Sequence, residues 1–349
     1  MQVGNEGAPV KRSIVCWLFA LIYPAAACNA VAGYSSLYVF GDSLSDSGNN
    51  AVVLAPNVTP VPIPGNDFIP TFPYASGRYT NGEVWAQTLA SPLGLAADPS
   101  LLGGTDYAFG GAQTGPLAPI GLPGTFPPSL ETQVALFLAQ HGNTAPSTAL
   151  YIVAGGGEDI LHALTTINGC DGNLGCVAGV INSTAETFAA NIGNIVSALQ
   201  LAGATSIVVW DVPDVGDAPV THALGVSGLA TEIASSMNLA LPSTIGGDPD
   251  VTLFDAFGLL NDVVGDPSAF GLANVTDACA QFIACDPSQY LFWDGIHPTS
   301  AAEPIIADAI LSLIDVLEPS SLSLLGVCLG CLMLACHSRR RRAIVTVKF

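Results

Sequence analysis

The chain has 349 residues, half of them hydrophobic, which is enough for one large domain with an extensive core. Between residues 13 and 338 it carries 27 acidic residues and one basic residue, Arg78. Such an acidic surface repels nucleic acid and anionic membranes, so we exclude a nucleic-acid-binding function. We expect Arg78 to hold its own loop in place by pairing with an acidic residue.

The first 32 residues have the pattern of a secretory signal peptide. Lys11 and Arg12 precede an apolar run over residues 14–27, and Ala30-Val31-Ala32 is a small-x-small cleavage site. We therefore predict a signal peptide over residues 1–32 and export of the rest. A retained membrane anchor and a lipid attached to Cys28 are the alternatives.

Strands and helices alternate along the body of the chain. Apolar runs that end in turn residues predict five buried strands, at residues 37–40, 104–112, 149–154, 206–212 and 251–255. Helical spacing predicts helices at residues 83–90, 129–141, 177–201, 228–241, 256–264 and 301–314. Ser300 and Glu303 have the spacing of a capping box before the last helix. This alternation indicates an α/β fold in which a five-stranded parallel sheet lies between two helical layers.

The first strand leads directly into a candidate nucleophile. Gly41 ends the apolar run, and Asp42 and Ser43 follow in a turn before a run of small polar residues. In an open α/β sheet, ligands bind at the carboxyl ends of the strands. Backbone N–H groups at a helix start also face any negative charge that develops there. A serine that only caps a helix is the alternative.

Hydrolysis of an ester requires a nucleophile, a base, a group that orients the base, and donors for the oxyanion. His297 is the histidine whose local setting suits a base, since His141 and His222 lie near predicted helix ends and His162 lies in a helix. Asp294 precedes His297 by three residues, so its carboxylate can accept from the far ring nitrogen and fix the tautomer. A local turn with a helix cap is the alternative.

Four of the nine cysteines lie in the body of the chain, in two pairs with a separation of six residues, Cys170 with Cys176 and Cys279 with Cys285. In an exported protein this pattern indicates two local disulfides. A four-cysteine zinc site is the alternative, but zinc ligands are usually about two to four residues apart.

Several ordered blocks together resemble the GDSL esterases and lipases, also called SGNH hydrolases, over about residues 37–314. The blocks are Gly41-Asp-Ser-Leu44, Tyr107-Ala-Phe-Gly-Gly111, Gly156-Gly-Glu-Asp159, Trp210-Asp-Val-Pro-Asp-Val-Gly216 and Asp294-Gly-Ile-His-Pro298. The resemblance implies a flavodoxin-like, three-layer fold. It also implies that Ser43 is the nucleophile and first oxyanion donor, Gly111 the second donor, His297 the base and Asp294 its partner. Family members hydrolyse carboxylic esters of lipids, aryl alcohols or acylated sugars without a metal or cofactor, so we expect neither here.

Glu158 departs from the pattern of this family, which has at this position an Asn whose amide donates to the oxyanion. An ionised glutamate donates nothing, and the loss of one donor costs about 10²–10³ in rate. Three explanations stay open: Glu158 is protonated because burial raises its pKa, its side chain turns away from the site, or the protein is a weak or inactive hydrolase. We expect an active but impaired enzyme.

Residues 317–349 resemble the PEP-CTERM sorting signal of exopolysaccharide-producing Gram-negative bacteria. Glu318-Pro319 precedes an apolar run over residues 322–336 and an arginine cluster over residues 339–342. The run is shorter than the ~20 residues of a spanning helix, but the basic cluster is typical of a membrane edge. Leu317 stands where the signal has its first proline, and residues 343–349 extend past the arginines. The resemblance implies signal peptidase and exosortase-type sorting machinery as partners.

These patterns divide the chain into a signal peptide (1–32), a hydrolase domain (33–316) and a tail with a short transmembrane segment (317–349). The favoured function is a serine ester hydrolase that acts through an acyl-enzyme and is exported to the periplasm, cell surface or medium. Only the terminal segments are expected to meet a membrane. The alternative is a catalytically impaired surface protein that keeps the fold and binds glycan or matrix.

Overall fold

The computed structural model describes residues 33–59, 61–116 and 125–315. The strands in this part are β1 (Leu37–Gly41), β2 (Leu150–Ala154), β3 (Ile207–Trp210), β4 (Val251–Phe254), β5 (Asn274–Ala278) and β6 (Tyr290–Phe292). The α-helices are α1 (Asn49–Leu54), α2 (Trp85–Ala90), α3 (Leu130–Gln140), α4 (Gly157–Asn168), α5 (Leu174–Leu201), α6 (Pro219–Ala223), α7 (Ser227–Ala240), α8 (Pro242–Ile245), α9 (Ala256–Gly265) and α10 (Glu303–Asp315).

The main sheet is parallel, with its strands in the order β1-β2-β3-β4. A further segment runs alongside the free edge of β1. Val39 N–H donates to the carbonyl of Thr105 at 3.2 Å, and Tyr107 N–H donates to the carbonyl of Val39 at 2.8 Å. With this segment counted, the spatial order follows the flavodoxin-like pattern 2-1-3-4-5. The predicted α/β class and parallel sheet are confirmed.

The predicted strand over residues 104–112 is less regular than expected, with bridges only at Asp106. The Asp106 carboxylate accepts a hydrogen bond from Ala108 N–H at 2.9 Å. This local bond takes a donor away from the sheet, as short acidic side chains often do. The segment therefore follows β1 for a few residues and then turns at Gly110 and Gly111 toward the carboxyl edge of the sheet.

Two cores lie on the two faces of the sheet, because successive side chains of a strand point to opposite sides. Phe40, Tyr151 and Val209 face a layer that includes buried residues of α3, α4, α5 and α7. Val39, Ile152 and Val208 face α2 and α10. The three-layer arrangement follows from strands that are apolar on both faces.

A second, two-stranded parallel sheet of β5 and β6 was not predicted. Its strands are short and only partly apolar, with Thr276 exposed and Asp277 half-buried. Tertiary contacts support it, since Ala280 N–H donates to the carbonyl of Trp293 at 3.0 Å. This small sheet leads directly into the loop that carries Asp294 and His297.

Both predicted disulfides are confirmed. Cys170 is bonded to Cys176 with their Cα atoms 5.7 Å apart, and Cys279 is bonded to Cys285 with their Cα atoms 5.5 Å apart. The first closes the turn between α4 and α5, and the second closes the loop after β5. These four thiols are therefore used in pairs and not as a four-cysteine zinc site.

The capping box predicted for Ser300 and Glu303 is wrong, and α10 begins at Glu303. The carboxylate of Glu303 instead accepts a hydrogen bond from the backbone N–H of Trp85 at 2.8 Å. Trp85 is the first residue of α2, where backbone N–H groups have no partner within the helix. Thr299 supplies the local acceptors for the backbone of Ala302.

The ion pair expected for Arg78 does not form with any of the described residues. Its Nε donates to Gln87 Oε1 at 2.6 Å, and its Nη1 donates to the carbonyl of Ser76 at 2.8 Å. Arg78 therefore does hold its loop, as expected, but through neutral acceptors.

None of the helices within residues 33–59, 61–116 and 125–315 is both long enough and apolar enough to cross a membrane. The predicted signal peptide, the apolar run over residues 322–336 and the arginine cluster lie outside the described residues.

Candidate active site

Ser43 lies directly after β1, on a turn whose backbone is held on both sides. Gln133 of α3 closes the end of the strand: its Nε2 donates to the carbonyl of Gly41 at 2.8 Å, and its Oε1 accepts from Gly41 N–H at 2.9 Å. Asp42 Oδ1 accepts from Leu44 N–H at 3.0 Å. The serine side chain is therefore presented at the carboxyl edge of the sheet.

A buried carboxylate ties this turn to the neighbouring segment. Asp46 accepts hydrogen bonds from Asn49 N–H at 2.6 Å and from Gly110 N–H at 3.0 Å. The amide of Asn49 donates to the carbonyls of Asp106 and Ala108 at 2.8 and 2.9 Å. The turn that carries Ser43 and the Gly110-Gly111 turn thus form one hydrogen-bonded unit, although they are distant in sequence.

The structure brings Ser43, His297 and Asp294 into one relay. His297 Nε2 lies 2.8 Å from Ser43 Oγ, and His297 Nδ1 lies 2.8 Å from Asp294 Oδ2. Asp294 is fully buried and His297 nearly so. Their loop is held internally, because Asp294 Oδ1 also accepts from the backbone N–H groups of Ile296 and His297.

The charges around His297 favour its protonated form. Burial acts to lower the pKa of His297, but the charge and hydrogen bond of Asp294, together with the charges of Asp42 and Glu158, raise it above its usual 6.5. An imidazole in this setting readily accepts a proton from Ser43. The imidazolium that results is stabilised by the adjacent carboxylate.

The backbone N–H groups of Ser43 and Gly111 have no acceptor among the described residues. Asn50 orients the second of these, because its Nδ2 donates to the carbonyl of Gly110 at 2.9 Å. That carbonyl and the Gly111 N–H belong to one planar peptide group and point in opposite directions. Gly111 has a φ of 83°, a left-handed conformation that strains other residues.

Glu158 lies in the first turn of α4, after Gly156. Gly156 has a φ of 116°, and a Cβ there would be 2.6 Å from Val212. Glu158 lines the cavities next to Ser43, and its charge acts on His297. Its carboxylate has no hydrogen-bond partner in the described part of the chain, so it is not held away from the site by another residue.

Burial raises the pKa of Glu158, the charge of His297 lowers it, and the charge of Asp159 raises it, with a net increase. Asp42, next to Ser43 in the chain, has its pKa raised to about 7 by burial, with an opposing hydrogen bond from Leu44 N–H and a reinforcing charge from Glu158. Both carboxyl groups therefore bind protons more readily than exposed ones do. This favours the first of the three explanations for a glutamate at position 158.

Sequence reasoning missed four supporting residues of this site. Tyr74 donates to Asp294 and Gln133 holds Gly41, while Asp46 and Asn50 position the Gly110-Gly111 turn. Asp46 and Asn50 lie only a few residues after Ser43, so a run of polar residues after the nucleophile is a usable signal. Tyr74 and Gln133 give no local signal, because their partners are far away in sequence.

The sequence model of one protein family, described as GDSL-like lipase/acylhydrolase, matches residues 37–310. The match covers more than half of the chain and includes the strand, the turn and the loop that carry this relay. The chain belongs to the GDSL-like lipase/acylhydrolase family.

Two relatives of this GDSL-family chain are similar over most of its length. An uncharacterised protein from the trpE–trpG intergenic region of Pseudomonas putida is 29% identical, over 88% of this chain and 53% of its own length. A GDSL esterase/lipase of Arabidopsis thaliana is 27% identical, over 79% of this chain and 84% of its own length. The chain thus spans about half the length of the first relative and most of the second.

Among solved structures, the α/β hydrolase LAE5 from the metagenome of Lake Arreo in Spain is 13% identical. It aligns over 83% of this chain and 99% of its own length, with a TM-score of 0.42. A likeness of this degree does not bear on function.

Proposed function

We propose that the protein is a serine carboxylic ester hydrolase that acts through an acyl-enzyme. The observation that carries the proposal is the relay in which Ser43 Oγ, His297 and Asp294 are joined by contacts of 2.8 Å. Family membership supports the same class of reaction.

In the proposed reaction, Ser43 Oγ attacks the ester carbonyl and His297 Nε2 takes its proton. The N–H groups of Ser43 and Gly111 stabilise the oxyanion. His297 then protonates the departing alcohol, which leaves an acyl group on Ser43. Water attacks that ester while His297 Nε2 takes one of its protons, and His297 returns the proton to Ser43 Oγ as the acid is released.

Glu158 contributes to the oxyanion site only when it is protonated. The raised pKa of this carboxyl, caused first by burial, supports that role. A catalytically impaired surface protein is the second candidate, and the acidic residue at the position of the family's Asn favours it.

We also propose that the protein is exported and that residues 317–349 direct its sorting to the cell surface. The two disulfides support an oxidising compartment. Cell fractionation of the full chain and of a variant with all four arginines 339–342 changed to Gln tests this part. Full-length protein in the cytoplasm, with free body cysteines, would contradict export.

Purified wild type and Ser43→Ala, assayed on p-nitrophenyl acetate and butanoate, test the catalytic proposal. We expect turnover in the wild type and a loss of about 10⁴-fold or more in the variant. A fluorophosphonate probe should label wild type at Ser43 and leave the variant unlabelled. No turnover and no labelling in folded wild type would favour the surface-protein alternative.

A further inference from the structure

Within the described residues, two cavities meet at the candidate relay. They share Ser43, Glu158 and His297 and have no other lining residue in common. We call the first, of about 100 Å³, the inner pocket, and the second, of about 350 Å³, the outer cleft. An ester has two arms, an acyl chain and an alcohol, so two cavities that meet at the nucleophile offer one place for each.

The inner pocket extends from the relay into the protein between α9 and α10. Away from the relay it is lined mainly by aliphatic and aromatic side chains, including Leu260 and Val263 of α9 and Ile305 of α10. Val263 and Phe254, which also line it, are almost fully buried. A hydroxylated or charged group placed here would lose its hydration without gaining hydrogen bonds. The inner pocket therefore suits a short hydrocarbon chain.

The size of the inner pocket limits the length of that chain. An apolar cavity of about 150 Å³ holds one benzene molecule. On that scale, the inner pocket of about 100 Å³ has room for roughly four carbon atoms. A longer chain fits only if buried side chains of α9 or α10 move.

The outer cleft has a different character. Its lining includes the oxyanion donor Gly111 and the exposed rings of Phe72 and Phe126. Its volume is larger than that of the inner pocket, and two of its lining residues are exposed aromatic rings. A bulky alcohol can therefore bind there and, after His297 has protonated it, leave without passing through the core.

We propose that the inner pocket binds the acyl chain and restricts the enzyme to esters of short fatty acids, up to about five carbons in the acid, while the outer cleft accepts varied bulky alcohols. This assignment rests on the proposed ester hydrolase function. It names Val263 as a specificity-determining residue at the inner pocket.

The test compares kcat/KM on p-nitrophenyl esters from acetate to decanoate. Because each buried methylene contributes about 0.8 kcal/mol, we expect a rise of about fourfold per added carbon up to butanoate or pentanoate. A drop of about tenfold or more should follow by octanoate. Butanoates of ethanol, benzyl alcohol and a sugar should all be hydrolysed, with smaller differences among them.

Variants that change the inner pocket in opposite senses provide the decisive comparison. Val263→Ala should move the optimum to acids longer by one or two carbons, and Ala256→Leu should move it toward acetate. Val196→Ala is the matched control: it removes the same two methyl groups from a buried position on α5 that lines neither cavity. Its chain-length profile should equal that of the wild type, and circular dichroism checks that all three variants fold.

A profile that is flat or still rising at decanoate, or that is unchanged in both pocket variants, would overturn the assignment while leaving ester hydrolysis intact. If activity instead fell beyond a certain length of the alcohol, and Val263→Ala changed that length, the two cavities would have the opposite roles. This result would also overturn the assignment. If folded wild type hydrolysed none of these esters, the result would contradict both the proposed function and this inference.

Discussion

Tyr74 Oη donates a hydrogen bond of 2.9 Å to Asp294 Oδ2, across a sequence separation of 220 residues. Both side chains are buried. Because this bond and the one from His297 reach the same carboxylate oxygen, Tyr74 fixes the orientation of the group that in turn orients the base. The loop after α1 is thereby coupled to the candidate relay.

Tyr74→Phe should lower both stability and activity. A hydrogen bond to a charged group contributes about 1.5–3 kcal/mol, and we expect a loss of this order in urea unfolding because the Asp294 charge is left with one donor fewer. We expect kcat to fall about tenfold, because the loss of a residue that orients a metal ligand has an effect of about this size in metal sites. We expect KM to change little. Tyr290→Phe, on β6, is the control for removal of a hydroxyl. Unchanged kcat in a folded Tyr74→Phe protein would show that Asp294 is held adequately without it.

Asn50→Leu should reduce kcat more than it changes KM. The Asn50 amide holds the carbonyl of Gly110 and thereby aims the Gly111 N–H. A misaimed oxyanion donor costs about 10²-fold in rate. Asn50→Asp keeps the shape but cannot donate, so it should fail in the same way. If either variant kept full kcat, Asn50 would not be needed to orient the Gly111 N–H for the reaction.

Activity should fall as the pH drops through the pKa of His297, since the base must be unprotonated to accept the proton of Ser43. Asp294, Asp42 and Glu158 face this imidazole, and together they raise its pKa despite the opposing effect of burial. We therefore expect the acid limb of kcat/KM to have its midpoint above pH 6.5. A midpoint below 6 would show that burial dominates over these charges.

Glu158→Gln should increase kcat at pH 8 roughly tenfold or more, because a neutral amide donor replaces a carboxylate that donates only when protonated. Glu158→Asn, which restores the residue usual in the family, should do the same if the shorter side chain reaches the oxyanion. The loss of one negative charge near His297 should also move the acid limb to lower pH.

Asp308→Asn is the control for these two variants, since it makes the same change of charge at an exposed position of α10. It should alter neither the rate nor the acid limb. If Glu158→Gln and Glu158→Asn both left the rate unchanged, position 158 would not limit catalysis.

The protein should lose stability as the pH rises from about 4 to 8. Burial raises the pKa of Asp46 and of Asp211 to about 6 each, against opposing backbone hydrogen bonds. A carboxyl group whose pKa is raised in the folded state stabilises that state, and its contribution is fully present below the unfolded-state pKa near 4. This contribution to stability is lost as the pH rises through the pKa of the group in the folded state.

Asp211→Asn isolates one part of this pH dependence, because the amide oxygen can still accept from Phe257 N–H as Asp211 Oδ1 does at 2.9 Å. We expect the variant to be more stable than wild type at pH 8, by about 3 kcal/mol at most, and to show no such gain at pH 4. Asp308→Asn again serves as control. Equal unfolding free energies for wild type and Asp211→Asn at both pH values would refute the assigned pKa.

Much of the framework could be predicted from local pattern. The four strands of the main sheet are apolar runs, interrupted only by Thr252 in β4, and glycine or aspartate follows each run. Helices α3, α5, α7 and α9 have clear apolar faces. Ser43, Asp294 and His297 could be named as candidates because each lies in a short motif after or before such an element, and the structure places their side chains together. The small sheet of β5 and β6 was missed, because its stability comes from distant partners and not from its own composition.

By itself, the sequence determined the fold class, the two disulfides and the membership of Ser43 and the His297 loop in a family pattern, because these depend on order and spacing along the chain. Only the tertiary structure decided that Glu303 meets α2, that Arg78 has neutral partners, that Tyr74 donates to Asp294 and that two cavities of different character meet at Ser43. The physical reason is that a buried donor or carboxylate needs a hydrogen-bond partner, and that partner can lie anywhere in the sequence that folding brings close to it. Residues 74 and 294 are far apart in the sequence, and only the packing of the whole domain brings their side chains within hydrogen-bond distance.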